Sequence, residues 1–230
     1  MSRFASSRGG RRFIATLAAV VGMTQSVVAA ADEDRPAASA PAQPAPSASG
    51  FRVALRTGVA VPLGEAFVSS GSLATTITGY VPLRLDIGYR FAHHFYFGVA
   101  GQVALIVPNG CAGGSSCSGS NTRFGVMVAY HLLPAGDFDP WLAVGMGYER
   151  LSVSREASGT RVDISARGLE LLDVELGADI RASRALRFGP VLSTSAGHYT
   201  TVSVNDSPTR DFDASIHAWA MLGFRGAFEL

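Results

Sequence analysis

Arginines and carboxylates recur at even spacings in this chain. Arg84, Asp86 and Arg90 are two and four residues apart, and so are Asp173, Glu175 and Asp179. Arg52, Arg56, Arg123, Glu149, Arg181, Arg187, Arg225 and Glu229 extend the set. Even spacing puts such groups on one face of a strand. Charges so gathered suit general acid and base catalysis, an ion pathway, or a buried network of ion pairs, because charge removed from water must be compensated. The second reactive group is Cys111 with Cys117, in a Gly/Ser-rich stretch. The third is a set of five histidines, His93, His94, His131, His198 and His217. His198 and His217 have Ser193, Ser195, Asp211 and Asp213 nearby in sequence, the residue types of a nucleophile, base and orienting acid.

The elements carrying these charges read as strands. Over Val81–Phe91, the residues Val81, Leu83, Leu85, Ile87, Tyr89 and Phe91 fall on one face, and Pro82, Arg84, Asp86, Gly88 and Arg90 on the other. A helix would scatter the three charges around its circumference. The alternation returns from Phe51, Phe95, Phe124, Leu142, Leu172 and Leu186 and in the last strand to Leu230, which makes eight segments. Polar stretches at Pro62–Thr76, Pro108–Asn121, Ser154–Ala166 and Thr200–Ala214 read as long loops. They alternate with short turns at Ala92–His94, Pro134–Asp139 and Ala182–Arg184. The expected fold is an all-β, eight-stranded antiparallel up-and-down transmembrane β-barrel over residues 51–230.

Composition bounds the rest. Residues 1–31 have the layout of a secretory signal peptide: Arg3, Arg8, Arg11 and Arg12, an apolar stretch from Phe13, and Ala29-Ala30-Ala31 before Asp32. Residues 32–50, rich in Ala, Pro and Ser, read as a disordered tether. No later stretch is apolar for long enough to make a membrane helix, yet mean hydropathy is positive and only 16% of residues are charged. Strands crossing a bilayer reconcile these facts. A net charge of +1, with every basic side chain an arginine, argues against nucleic acid as a partner. In an exported chain Cys111 and Cys117 are expected to form a disulfide. They are too few for a metal site, and no cofactor is expected.

Alternation alone leaves open which face looks outward. Three features favour the apolar face. The opposite face holds Gly, Ala and mixed charge, as the narrow interior of a small barrel requires. Aromatics (Tyr89, Phe91, Phe95, Phe97, Tyr130, Phe188 and Phe228) collect on the apolar face beside the short turns, as an interfacial girdle does. Long and short connections also alternate. The charged face then lines the lumen, and Arg56, Arg84, Asp86, Arg90, Glu149, Asp173, Glu175, Asp179 and Arg225 are expected to plug it. The second and sixth segments oppose each other, which sets Arg84 near Asp173 and Glu175, and Arg90 near Asp179.

Residues 51–230 resemble the bacterial eight-stranded outer-membrane barrels, of the type of the outer-membrane-protein-A transmembrane domain and the opacity proteins. The resemblance rests on Gly88-Tyr89-Arg90-Phe91, on Pro140–Tyr148, and on the final strand Trp219–Leu230. That strand looks like the signal read by the barrel-assembly machinery, and differs from it in ending on Leu230 where an aromatic is usual. The resemblance implies an outer-membrane location among lipid and lipopolysaccharide, with the tether in the periplasm and the long loops outside. With nothing after Leu230, no C-terminal peptidoglycan-binding module is expected. The function expected is structural or surface-interacting and not enzymatic, with no catalytic residue assigned. The alternatives are a small pore or hydrophobic-solute conduit, and a lipid A-modifying enzyme built on the histidines and serines.

Overall fold

The computed structural model describes residues 49–67, 71–72, 77–109, 111, 115–208 and 216–230. The readings of residues 1–31 and 32–48 lie outside the described residues, as do parts of three of the four loops.

Eight long strands make the wall. They are β1 (Gly50–Phe67), β3 (Ile77–Phe91), β4 (Phe95–Pro108), β5 (Ser115–His131), β6 (Phe138–Ala157), β7 (Thr160–Arg181), β8 (Leu186–Val204) and β10 (Ile216–Glu229). Two-residue strands, β2 (Gly71–Ser72) and β9 (Ser207–Pro208), pair with β1 and β8. Each long strand is antiparallel to the next, and β10 pairs with both β8 and β1, from Arg52↔Glu229 to Gly64↔His217. The sheet closes on itself and leaves no long edge to solvent. No helix among the described residues is long and apolar enough to cross a membrane.

Side-chain orientation follows the alternation and settles which face is outside. On β3, Leu83, Leu85 and Ile87 are exposed while Arg84 and Asp86 are buried. The same inversion holds on the other strands: Phe97, Val128, Leu142, Leu176, Leu192 and Phe224 face outward, and Arg56, Glu149, Asp173, Glu175, Asp179 and Arg225 face inward. Water would not tolerate such a continuous apolar exterior. Hydrocarbon would, because a closed barrel also satisfies every strand's backbone groups within itself. The aromatic girdle is present at the short-turn end, where Phe91 stacks on Phe95 and Phe95 meets Tyr130 edge to face.

The loop boundaries differ from expectation. Ser154–Ala166 is not a loop: β6 and β7 stay paired out to Ala157↔Thr160 and turn at Ser158-Gly159. Both turn residues take positive φ, 52° and 76°, as a two-residue hairpin turn requires. These strands are 20 and 22 residues long, whereas crossing a bilayer takes about 9–11. The excess stands clear of the apolar belt, where both faces meet water. Hydrophobic alternation therefore vanishes while backbone pairing continues. For the same reason β1 runs on to Phe67, β5 begins at Ser115, and Asn205-Asp206 makes a second turn with both φ positive.

Cys117 accordingly lies on a strand, and it is joined to Cys111 by a disulfide, with 6.2 Å between Cα atoms. Alkylation of the non-reduced protein is expected to modify neither cysteine, and alkylation after reduction to modify both. A free thiol before reduction would count against the bond.

Candidate functional site: the charged lumen

The inward side chains form three clusters along the barrel axis. At the short-turn end, Arg52 is paired with Asp179, and its guanidinium lies 2.8 Å from Nε2 of His131. His131 is bound on its other side to Asp139 at 2.8 Å. Arg225 packs on the Trp141 ring with its guanidinium carbon 4.5 Å from the centroid, and lies 3.7 Å from Asp179. Its nitrogens are buried with no hydrogen-bond partner among the described residues. The aromatic face and the nearby carboxylate offset part of the cost of that charge. Arg90 and Arg187 share Glu229, at 2.8 and 3.4 Å.

The middle cluster crosses the lumen. Arg84 of β3 reaches Asp173 and Glu175 of β7 at 2.7 and 3.1 Å, and Asp86 of its own strand at 3.0 Å. Arg56 of β1 holds Asp86 at 2.8 Å and Glu175 at 2.6 Å. Glu175 and Asp86 are each shared by two guanidinium groups, and all five side chains are buried. The Met127 sulfur lies 3.8 Å from Arg56 and 3.6 Å from Arg84.

At the loop end, Glu149 accepts from Asn121 at 2.6 Å and from Tyr199 at 3.1 Å, and lies 3.0 Å from His217 Nε2 and 3.5 Å from Arg123. Arg123 also binds Glu170 at 2.6 Å and the Ser195 hydroxyl at 3.0 Å. Tyr199 and His217 stack with ring centroids 4.0 Å apart. The gap between the middle and loop-end clusters, lined by Arg84, Gln102, Arg123, Glu170 and Asp173, has a volume of about 10 Å³, room for about one water.

No family model matches this sequence, and neither does any curated protein. Solved structures do resemble it. The crystal structure of neisserial surface protein A superposes with a TM-score of 0.51 at 16% identity, covering 80% of this chain and 100% of that one. A major outer membrane protein of Thermus thermophilus gives the same score and coverages at 13% identity. The fold is that of an eight-stranded outer-membrane β-barrel.

The barrel buries the nine arginines and carboxylates expected to plug it, with one pairing changed and one further arginine of the charged face placed elsewhere. Arg90 pairs with Glu229, not with Asp179, because Arg52 and Arg225 surround Asp179. Arg181 leaves the lumen for the short-turn end, where it donates to the carbonyls of Ala135 and Gly136 at 2.7 and 3.1 Å. Those carbonyls belong to the turn after β5 and have no strand partner there.

Several lumen residues escaped sequence reasoning. Asp139 reads as part of a turn and Asn121 as part of a loop. Glu170 was missed because a bulge on β7 between Glu170 and Leu172 shifts the alternation by one residue. Leu171 and Leu172 consequently both face outward, and Glu170 turns in. The interior also holds Trp141, Trp219, Tyr80, Tyr96 and Tyr199. Facing glycines accompany two of these rings, Gly177 against Trp141 and Gly88 with Gly98 against Tyr96.

Gly177 shows why. A Cβ on it would lie 2.4 Å from the Trp141 ring, whereas one on outward-facing Gly101 would meet nothing within 4 Å. Gly177→Val is expected to destabilise the barrel by about 1–3 kcal/mol, and Gly101→Ala to stay within about 0.5 kcal/mol of wild type. Urea unfolding in detergent reads both. Equal effects would mean that the Trp141 ring does not fill that space.

The histidines and serines do not assemble into a hydrolytic set among the described residues. His217 faces Glu149, Ser195 is held by Arg123, and His198 projects from the opposite face of its strand. His93 and His94 occupy the turn after β3, and His94 stacks on Tyr130. Asp211 and Asp213 lie outside the described residues. On the exposed hairpin, hydrogen bonding from Arg161 holds the Asp163 carboxyl below its ordinary value.

Proposed function

We propose that this protein is a non-enzymatic integral outer-membrane barrel. Its lumen is closed by the arginine–carboxylate network, and its contacts with the surroundings are made from the loop end. The observation that carries the reading is the middle cluster. Arg84, Arg56, Asp86, Asp173 and Glu175 bridge opposite walls at 2.6–3.1 Å, and the space above them holds about one water. An eight-stranded barrel is only wide enough for its own side chains; here they are charged and mutually paired. A conducting pore would require those pairs to separate, and separating buried charge is costly.

In this reading the short-turn end and the N-terminal tether face the periplasm. The β6–β7 hairpin and the disulfide-bearing loop face outward, and β10 is the strand engaged by the assembly machinery. The interaction role falls to the loop end because the rest of the exterior is taken up by lipid. The lack of a bonded nucleophile and base among the described residues supports the non-enzymatic part.

Planar-bilayer recording of the purified full-length protein tests closure. The expected trace shows no discrete steps under an applied potential. Reproducible stepwise conductance would overturn the plug and favour the small-pore alternative. Mass spectra of lipid A from cells with and without the protein are expected to coincide; a protein-dependent mass shift would overturn the non-enzymatic assignment.

A further inference from the structure

We propose that the outer wall of β6 and β7 at the loop end seats a phosphate-bearing lipid, with Arg150 and Arg167 on its phosphate and one acyl chain in the groove beneath them. The inference rests on the reading of the protein as an outer-membrane barrel and adds to it a specific ligand class and site.

The register supplies the headgroup half. Arg150 and Arg167 are directly opposed across the β6–β7 ladder, and both project outward. Like charges in such a pair repel, and no carboxylate partner is found for either among the described residues. Asp163, two rungs further out on β7, is engaged by Arg161 at 2.9 Å. The rung immediately below is apolar, with Phe124, Tyr148 and Leu169 side by side and exposed. The arginine pair therefore marks the first polar rung beyond the hydrocarbon-facing belt, the level of lipid phosphates. Ser152 and Ser165 form the next rung out and add two hydroxyl donors. Guanidinium groups bind phosphate through paired, charge-assisted hydrogen bonds, and a phosphate between them would relieve their repulsion.

The bulge supplies the other half. By sending both Leu171 and Leu172 outward, it opens an apolar groove of about 290 Å³, lined also by Val126, Val128, Val144 and Met146. Met146 and Leu171 lie four residues along their strands from Arg150 and Arg167, about 13 Å at a strand's rise per residue. Groove and arginines share two strands and one outward face. A soluble anion would have no use for the groove, and a neutral lipid none for the arginines. A lipid carrying both phosphate and acyl chains uses each.

The test is native mass spectrometry of the full-length protein and an R150Q/R167Q variant in dodecyl maltoside. The added ligands are bisphosphorylated lipid A, its dephosphorylated counterpart, or inorganic phosphate. Wild type is expected to retain bisphosphorylated lipid A about tenfold better than the variant, with no such preference for the dephosphorylated lipid. Equal retention by both proteins would overturn the seat. Displacement of the lipid by millimolar inorganic phosphate would overturn its assignment to a lipid. A mobility shift on boiling in SDS separates the two levels of inference. If both proteins shift and do not discriminate, the lipid seat fails and the barrel reading stands. If neither shifts, the barrel reading itself has failed.

Discussion

Replacing Arg84 by methionine is expected to destabilise the barrel by about 3–5 kcal/mol, the cost of leaving buried charge uncompensated. Arg84 contacts three carboxylates, at 2.7, 3.0 and 3.1 Å. Two of these, Asp86 and Glu175, keep Arg56 as a second partner. Asp173 has no other ion-pair partner among the described residues, so the loss concentrates there. Converting Asp173 to leucine in the same chain removes the stranded charge, and Arg84→Met/Asp173→Leu is expected to recover part of the loss. The coupling should lie in the range of about 0.5–3 kcal/mol found for residues in one network. Urea unfolding in detergent micelles, followed by fluorescence of the buried Trp141 and Trp219, measures the singles and the double. A change within about 0.5 kcal/mol for Arg84→Met would mean that the arginine is hydrated in a water-filled lumen, and the plug would be wrong.

The neighbouring position makes the opposite demand. Leu85→Arg is expected to cost about 2–4 kcal/mol, the penalty for arginine on the lipid face near the bilayer midplane. Leu85 sits mid-strand on β3, 44% exposed, between Leu55 and Gly101 on the adjoining strands. In water an arginine there would be almost free, within about 0.5 kcal/mol. The comparison uses refolding into phosphatidylcholine vesicles, with folded fractions read from mobility on unboiled gels. A neutral effect would turn the barrel inside out and make the charged face its exterior. Arg84 and Leu85 are adjacent in sequence, and each is required to be what the other is forbidden to be.

That opposition is why so much of the architecture is legible in the sequence. Period-two alternation is a local property, and it persists wherever one face of a strand meets hydrocarbon and the other a filled interior. Residues such as Leu83, Arg84, Leu85 and Asp86 therefore declare the strand and its two faces, and the composition of those faces with the alternating loop lengths declares which one looks outward. Legibility stops where the two environments become alike. Beyond the apolar belt both faces of β6 and β7 meet water, so Ser154–Ala166 carries no alternation and reads as a loop, while its backbone remains paired. It stops again at the β7 bulge, where one extra residue reverses the parity and hides Glu170.

By itself the sequence determined the all-β class, the number of crossing strands, the inward side chains wherever alternation is unbroken, and that the inward charges required partners. Each follows from local alternation or from the cost of buried charge. The opposition of the second and sixth segments already set Arg84 near Asp173 and Glu175; only the closed barrel decided the partners of the other charges. Arg90 goes to Glu229 because β10 closes against β1 and brings Glu229 to the short-turn rim; Asp179 is already surrounded by Arg52 and Arg225. The tertiary structure alone also placed Trp141 against Gly177, Glu149 among Asn121, Tyr199 and His217, and Arg150 opposite Arg167. Those placements depend on stagger between strands and across the lumen. Stagger is set jointly by bulges and turns along the whole chain, and no single segment encodes it.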